Sequence, residues 1–112
     1  MLKEVNKRVL DFYYDQRGKR PFVNWLESLD VKAQARIRYR LTRVEEDNFG
    51  DCFPVGEGVM ELRFFFGPGY RVYFGHVGKN VVVLLMGGDK KSQSSDIQKA
   101  LEYWRDYQES LK

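Results

Sequence analysis

Cysteine and histidine each occur once in this chain of 112 residues, as Cys52 and His76. A lone cysteine excludes an internal disulfide framework and any zinc site built on cysteine thiolates. Long apolar runs are also missing. The longest is Val81 to Met86, far below the roughly 18 residues that a membrane span requires, and its length suits a buried strand instead. The opening MLKEVNKRVL has no apolar core of the signal-peptide kind. Together these features predict a soluble, cytoplasmic protein with no membrane span and no cysteine-based metal site, and no cofactor is expected. Net charge is small at +3, which by itself argues only weakly for a nucleic-acid partner. No repeat, low-complexity tract or composition break divides the chain, so a single domain over 1–112 is expected.

Aromatic residues are abundant, with eight Phe, seven Tyr and two Trp. They allow a short chain to bury a large apolar area. Residues 4–14 carry a strand pattern, and Gln16 to Lys19 reads as a turn. Pro21 suits the first turn of a short helix bearing Phe22, Trp25, Leu26 and Leu29. Asp30 is placed to cap a second helix over roughly 31–47, where Ala33, Ile37, Leu41 and Val44 form a core stripe. So short a link predicts a helical hairpin. Residues 48–58, with Gly50, Pro54, Gly56 and Gly58, read as irregular chain.

Two β-hairpins follow. A three-residue loop at Gly67-Pro68-Gly69 pairs Phe66 with Tyr70, Phe64 with Val72 and Leu62 with Phe74. One face then carries Met60, Leu62, Phe64, Phe66, Tyr70, Val72 and Phe74, and the other carries Glu61, Arg63, Phe65, Arg71 and Tyr73. A register slipped by one would bury Arg71 among core residues, at heavy cost for an unpaired guanidinium. The polar face is therefore expected to be exposed. Gly78-Lys79-Asn80 closes the second hairpin, and Gly87-Gly88 is expected to end the last strand. The final helix opens near Ser92–Ser95, with Ser95 and Gln98 as a possible capping box and Ile97, Ala100, Leu101, Trp104 and Leu111 along one side. The fold class is α+β in the order β-α-α-β-β-β-α: a twisted, largely antiparallel sheet packed by the hairpin and a C-terminal helix.

That order, together with Glu61-Leu62-Arg63, Gly67-Pro68-Gly69-Tyr70-Arg71-Val72-Tyr73-Phe74 and Gly88-Asp89-Lys90-Lys91 before Asp96-Ile97 and Ala100, resembles the RelE/ParE superfamily of toxins. The likeness is greatest to its HigB-like addiction module killer and phage Gp49-like branch. The resemblance implies a bacterial or phage type II toxin held inactive by an antitoxin, commonly a helix-turn-helix protein. It implies inhibition of translation by metal-independent cleavage of mRNA on the ribosome, in which a ribose 2′-hydroxyl attacks the adjacent phosphate. ParE-like relatives poison DNA gyrase instead without hydrolysis, which would place activity on the last helix around Trp104 and Tyr107. A non-toxic phage-derived binding protein is a third reading.

Under the nuclease reading, Arg71 and Arg63 hold the scissile phosphate, because guanidinium forks match phosphate oxygens and stay charged. Lys90 or Lys91, with Lys90 preferred, assists the leaving oxygen or positions RNA, and Tyr73 stacks on a base or donates a hydrogen bond. Lys91 and a stripe of Arg36, Arg40 and Arg43 on the second helix contact RNA phosphates. Each has a plainer reading: an exposed arginine more often just pairs with a carboxylate such as Glu61, and a charged helix stripe is usually solvated. Glu61 neutralises a neighbouring arginine or serves as general base, and His76 is expected to pack.

Overall fold

A computed structural model describes residues 7–112. In chain order the elements are β1 (Val9–Phe12), α1 (Pro21–Glu27), α2 (Val31–Glu45), β2 (Cys52–Gly56), β3 (Val59–Arg63), β4 (Arg71–Val77), β5 (Val81–Gly88) and α3 (Gln93–Ser110). They form an α+β fold around one sheet in the order β1-β5-β4-β3-β2. β1 runs parallel to β5, and the remaining pairs are antiparallel. The expected opening strand is thus shorter than 4–14, and its part before residue 7 lies outside the described residues.

The helical hairpin forms where the spacing predicts it. Pro21 opens α1 at a position whose N–H would have no helical partner. The Asp30 side chain accepts the Ala33 N–H at 2.8 Å and so caps α2. Phe22, Leu26, Ile37, Leu41 and Val44 from the two helices bury against Leu62, Phe64, Val72, Phe74, Val82 and Leu84 of the sheet. Fully burying each such side chain contributes roughly 1.5–3 kcal/mol.

Several expectations are corrected, three of them concerning the sheet as a whole. First, residues 52–56 form β2 rather than irregular chain, pairing with β3 from Cys52↔Leu62 to Gly56↔Val59. Pro54 is tolerated because β2 is an edge strand, where a missing N–H need not break a ladder. Second, the β3–β4 register differs by two residues, with Leu62 opposite Val72 and Arg63 opposite Arg71. The loop spans residues 65–69 and closes with Phe64 N–H donating to the Tyr70 carbonyl at 3.0 Å. Gly67 and Gly69 take φ of 57° and 76°, left-handed geometry that favours glycine. Phe66 leaves the ladder to pack edge-on against Phe64 and Tyr70. A shift of two preserves which side chains share a face, so Glu61, Arg63, Arg71 and Tyr73 remain together.

The third correction concerns that face. It is covered, not exposed: α3 lies over it and buries Ala100, Leu101 and Trp104 against Val59, Tyr73, Val83, Leu85 and Met86. Gly87 and Gly88 do not stop the strand either; they pair with Val72 and Arg71. Their bare backbones make room for neighbours. A Cβ on Gly87 would lie 2.2 Å from the Trp25 ring, and one on Gly75 would lie 2.5 Å from Trp104. One tryptophan therefore rests on backbone on each side of the sheet. Leu111, expected in the α3 stripe, is exposed beyond the helix end. Ser95 lies inside α3 rather than capping it, its hydroxyl donating to the Ser92 carbonyl.

Candidate functional site

β3, β4 and the end of β5 converge with the start of α3 on a small polar cluster. Arg63, Arg71 and Gly88 lie side by side across three strands, with Glu61 and Tyr73 opposite each other next to them. A register change between Tyr73 and Phe74 adds one residue to β5. It turns both Leu85 and Met86 towards α3 and sets Gly88 beneath the Asp96 carboxylate, which a Cβ would strike at 1.8 Å.

Glu61 is completely buried and accepts Arg63 Nε at 2.7 Å and Gln93 Nε2 at 2.9 Å. Burial alone would raise its carboxyl, but the hydrogen bonds from Arg63 and Gln93 and the Arg63 charge outweigh it and hold the group below its ordinary value. The Arg63 guanidinium leans towards the β2 edge and lies 4.3 Å from the Phe53 ring centre. Tyr73 is fully buried, and its hydroxyl has no partner in hydrogen-bonding geometry among the described residues. Burial, reinforced by Glu61, pushes its phenol far up. A sealed ring cannot stack on a nucleobase, which removes that part of the role expected for Tyr73. Asp96 accepts the Ser92 hydroxyl and is raised, chiefly by burial.

Arg71 is different. It is 7% exposed, forms no ion pair with a carboxylate among the described residues, and its Nε is buried without a partner. Instead it lines an open cleft of about 410 Å³ with Phe64 to Gly69 and Lys90. Lys90 is presented by a turn that Asp89 folds: its carboxylate accepts the backbone N–H groups of Lys91 and Ser92 at 2.9 and 3.1 Å. The structure thus brings Arg71 and Lys90 to one cleft. Arg63 turns away to Glu61, and Lys91 lines no part of the cleft. A buried, unpaired cation beside a second cation suits a singly or doubly charged anion.

On α2, Arg40 holds the fold together. It donates to the carbonyls of Arg63, Phe49 at 3.0 Å and Asp51 at 2.9 Å, and sits 4.7 Å from the Phe64 ring centre. Those bonds leave it few donors for a phosphate. Arg36 lies over Phe66 at 3.9 Å, and Arg43 is 6.0 Å from the Tyr39 ring centre; both are on the exposed side of the helix. His76 packs edge-on with Phe49 and tilted against Phe74. Trp104 is buried, which withdraws its ring from the surface that a gyrase-binding helix would need. Gln93 and Asp96 were missed from the sequence. The signal available was their place in the first turn of an amphipathic helix that had to cover some face.

The family model described as phage derived protein Gp49-like (DUF891) matches residues 24–104, a span that contains the whole cluster and the cleft. A Haemophilus influenzae protein described as an uncharacterized protein is 44% identical over 80 residues, covering 70% of this chain and 81% of its own length. No helix among the described residues is long and apolar enough to cross a membrane.

Proposed function

The chain belongs to the Gp49-like family of phage-derived proteins, within the toxin-like RelE/ParE-related group, and on that premise we propose that it is a type II toxin of the HigB-like kind, a ribosome-dependent endoribonuclease acting on mRNA. The observation that carries this reading is Arg71, nearly buried yet without a counter-ion among the described residues, at the wall of a cleft it shares with Lys90. A phosphodiester supplies the missing charge and two acceptor oxygens.

In this reading the 2′-hydroxyl attacks the adjacent phosphorus and gives its proton to solvent. The bond to the 5′-oxygen breaks, that oxygen takes a proton from the Lys90 ammonium, and a 2′,3′-cyclic phosphate remains. Arg71 holds the non-bridging oxygens as negative charge builds on them, the kind of preorganised stabilisation worth roughly 10²–10³-fold per donor. Glu61 acts through Arg63: by binding that guanidinium, it leaves Arg71 free rather than drawing it into a salt bridge. Arg63 is therefore a positioning residue. No metal is required, since both charges are fixed side chains. A cytoplasmic site of action and a cognate antitoxin, of the helix-turn-helix kind, follow from the same reading.

Inducible expression tests it. Wild type should arrest translation and produce new mRNA 5′ ends inside coding regions, and Arg71→Ala should do neither while remaining folded. Arrest that persists in Arg71→Ala removes the assigned role. Intact mRNA with an SOS response would point to gyrase instead.

A further inference from the structure

A second groove adjoins the Arg71 cleft. Arg36, Tyr39 and Arg43 of α2 face Phe64, Phe65 and Phe66 across a space of about 520 Å³. The same three phenylalanines line the Arg71–Lys90 cleft, so cleft and groove share a wall and are together called the trough. Two rings in it are largely bare: Phe65 is 78% exposed and Tyr39 64% exposed. Among the described residues, no acidic side chain lines either part. Positive charge alternating with unburied aromatic faces is the surface that binds single-stranded nucleic acid, where phosphates meet arginine and bases stack on rings.

We infer that this groove is a subsite for the nucleotides flanking the phosphate held at Arg71, with Phe65 and Tyr39 stacking on bases and Arg36 and Arg43 meeting the backbone. The substrate is then unpaired RNA several nucleotides long, since a duplex keeps its base faces covered. The inference rests on the phosphodiester reading of Arg71. An acidic amphipathic peptide offers similar charge complementarity, but the groove shares its phenylalanine wall with the phosphate cleft, which favours a continuous strand.

Binding of fluorescein-labelled 2′-O-methyl oligouridylates, which lack the attacking hydroxyl, separates the possibilities. The hexanucleotide should bind the wild-type protein at least tenfold more tightly than the dinucleotide. The double variant Phe65→Ala/Tyr39→Ala should lose roughly tenfold or more for the hexanucleotide and nothing for the dinucleotide. Both substitutions are at exposed positions, and circular dichroism should be unchanged. Arg71→Ala should weaken both ligands. If the hexanucleotide depends on Arg71 but not on the two rings, the groove inference falls and the phosphate reading stands. If Arg71→Ala changes neither affinity, the phosphate reading falls. Equal affinity for both lengths, or a loss in the double variant seen only with a glutamate-rich helical peptide, also overturns the inference.

Discussion

Arg71 and Glu61 occupy the same covered face yet meet opposite fates. Glu61 is buried with Arg63 and Gln93 as partners, whereas Arg71 is buried with none for its Nε. The difference gives Glu61 a structural signature that can be titrated. Its carboxyl lies below the ordinary value of 4.5 in the folded chain. A depressed carboxylate stabilises the fold above its unfolded value, and that stability is lost as pH falls through the lower folded value. Asp96 has the opposite sign, since its folded value is raised above 3.8. It detracts at neutral pH and recovers on acidification. Comparison with Glu61→Gln cancels the Asp96 contribution, because both proteins carry it. Urea unfolding should therefore show wild type ahead of Glu61→Gln near neutrality, with the gap closing as pH falls below the ordinary carboxyl value of 4.5. Arg63→Ala leaves the buried carboxylate with Gln93 alone and should cost on the order of 2 kcal/mol, discounted from the fully buried case because Arg63 keeps part of its surface in water. A pH-independent gap for Glu61→Gln contradicts this account.

Among the elements, α1 and α3 each seat a tryptophan on a glycine of the sheet. Gly87→Ala and Gly75→Ala should each destabilise the fold by at least roughly 1–3 kcal/mol, because rigid rings and backbone cannot both yield. Chemical denaturation measures it, and near-neutral values would mean the rings are free to move. These contacts also explain what the sequence does and does not disclose. α2 was legible because its stripe, its Asp30 cap and its length agree with one another. β2 was not, since Pro54 and Gly56 weaken its strand pattern and only pairing with β3 rescues it. Gly87-Gly88 reads as a stop, yet its meaning is space for Trp25 and Asp96, which no local pattern reveals. The loop at 65–69 was misjudged because Phe66 packs against Tyr70 and beneath Arg36 instead of joining the ladder.

In the whole molecule, the sheet separates two helical layers: α1 and α2 on one side and α3 on the other. The trough borders the α1–α2 cluster, sharing Phe64 and Phe66 with it, and is lined by α2, the β3–β4 loop, Arg71 and Lys90. Arg71 and Lys90 stand out in the sequence by their types and their places beside turns, and the fold brings them to one cleft. The burial of Tyr73 and the Glu61–Arg63 pairing were not, because they depend on α3 folding back across the sheet. That return sets the central claim, that a cation is kept unpaired for an anionic ligand. Replacing it by a similar apolar chain should then relieve the fold and abolish the ligand response. The direct measurement is the thermal unfolding midpoint of wild type and Arg71→Met across increasing inorganic phosphate. Without phosphate, Arg71→Met should melt no lower than wild type, and added phosphate should raise the wild-type midpoint alone. An Arg71→Met protein that melts several degrees lower, and responds to phosphate as wild type does, would make Arg71 a structural residue and contradict the account.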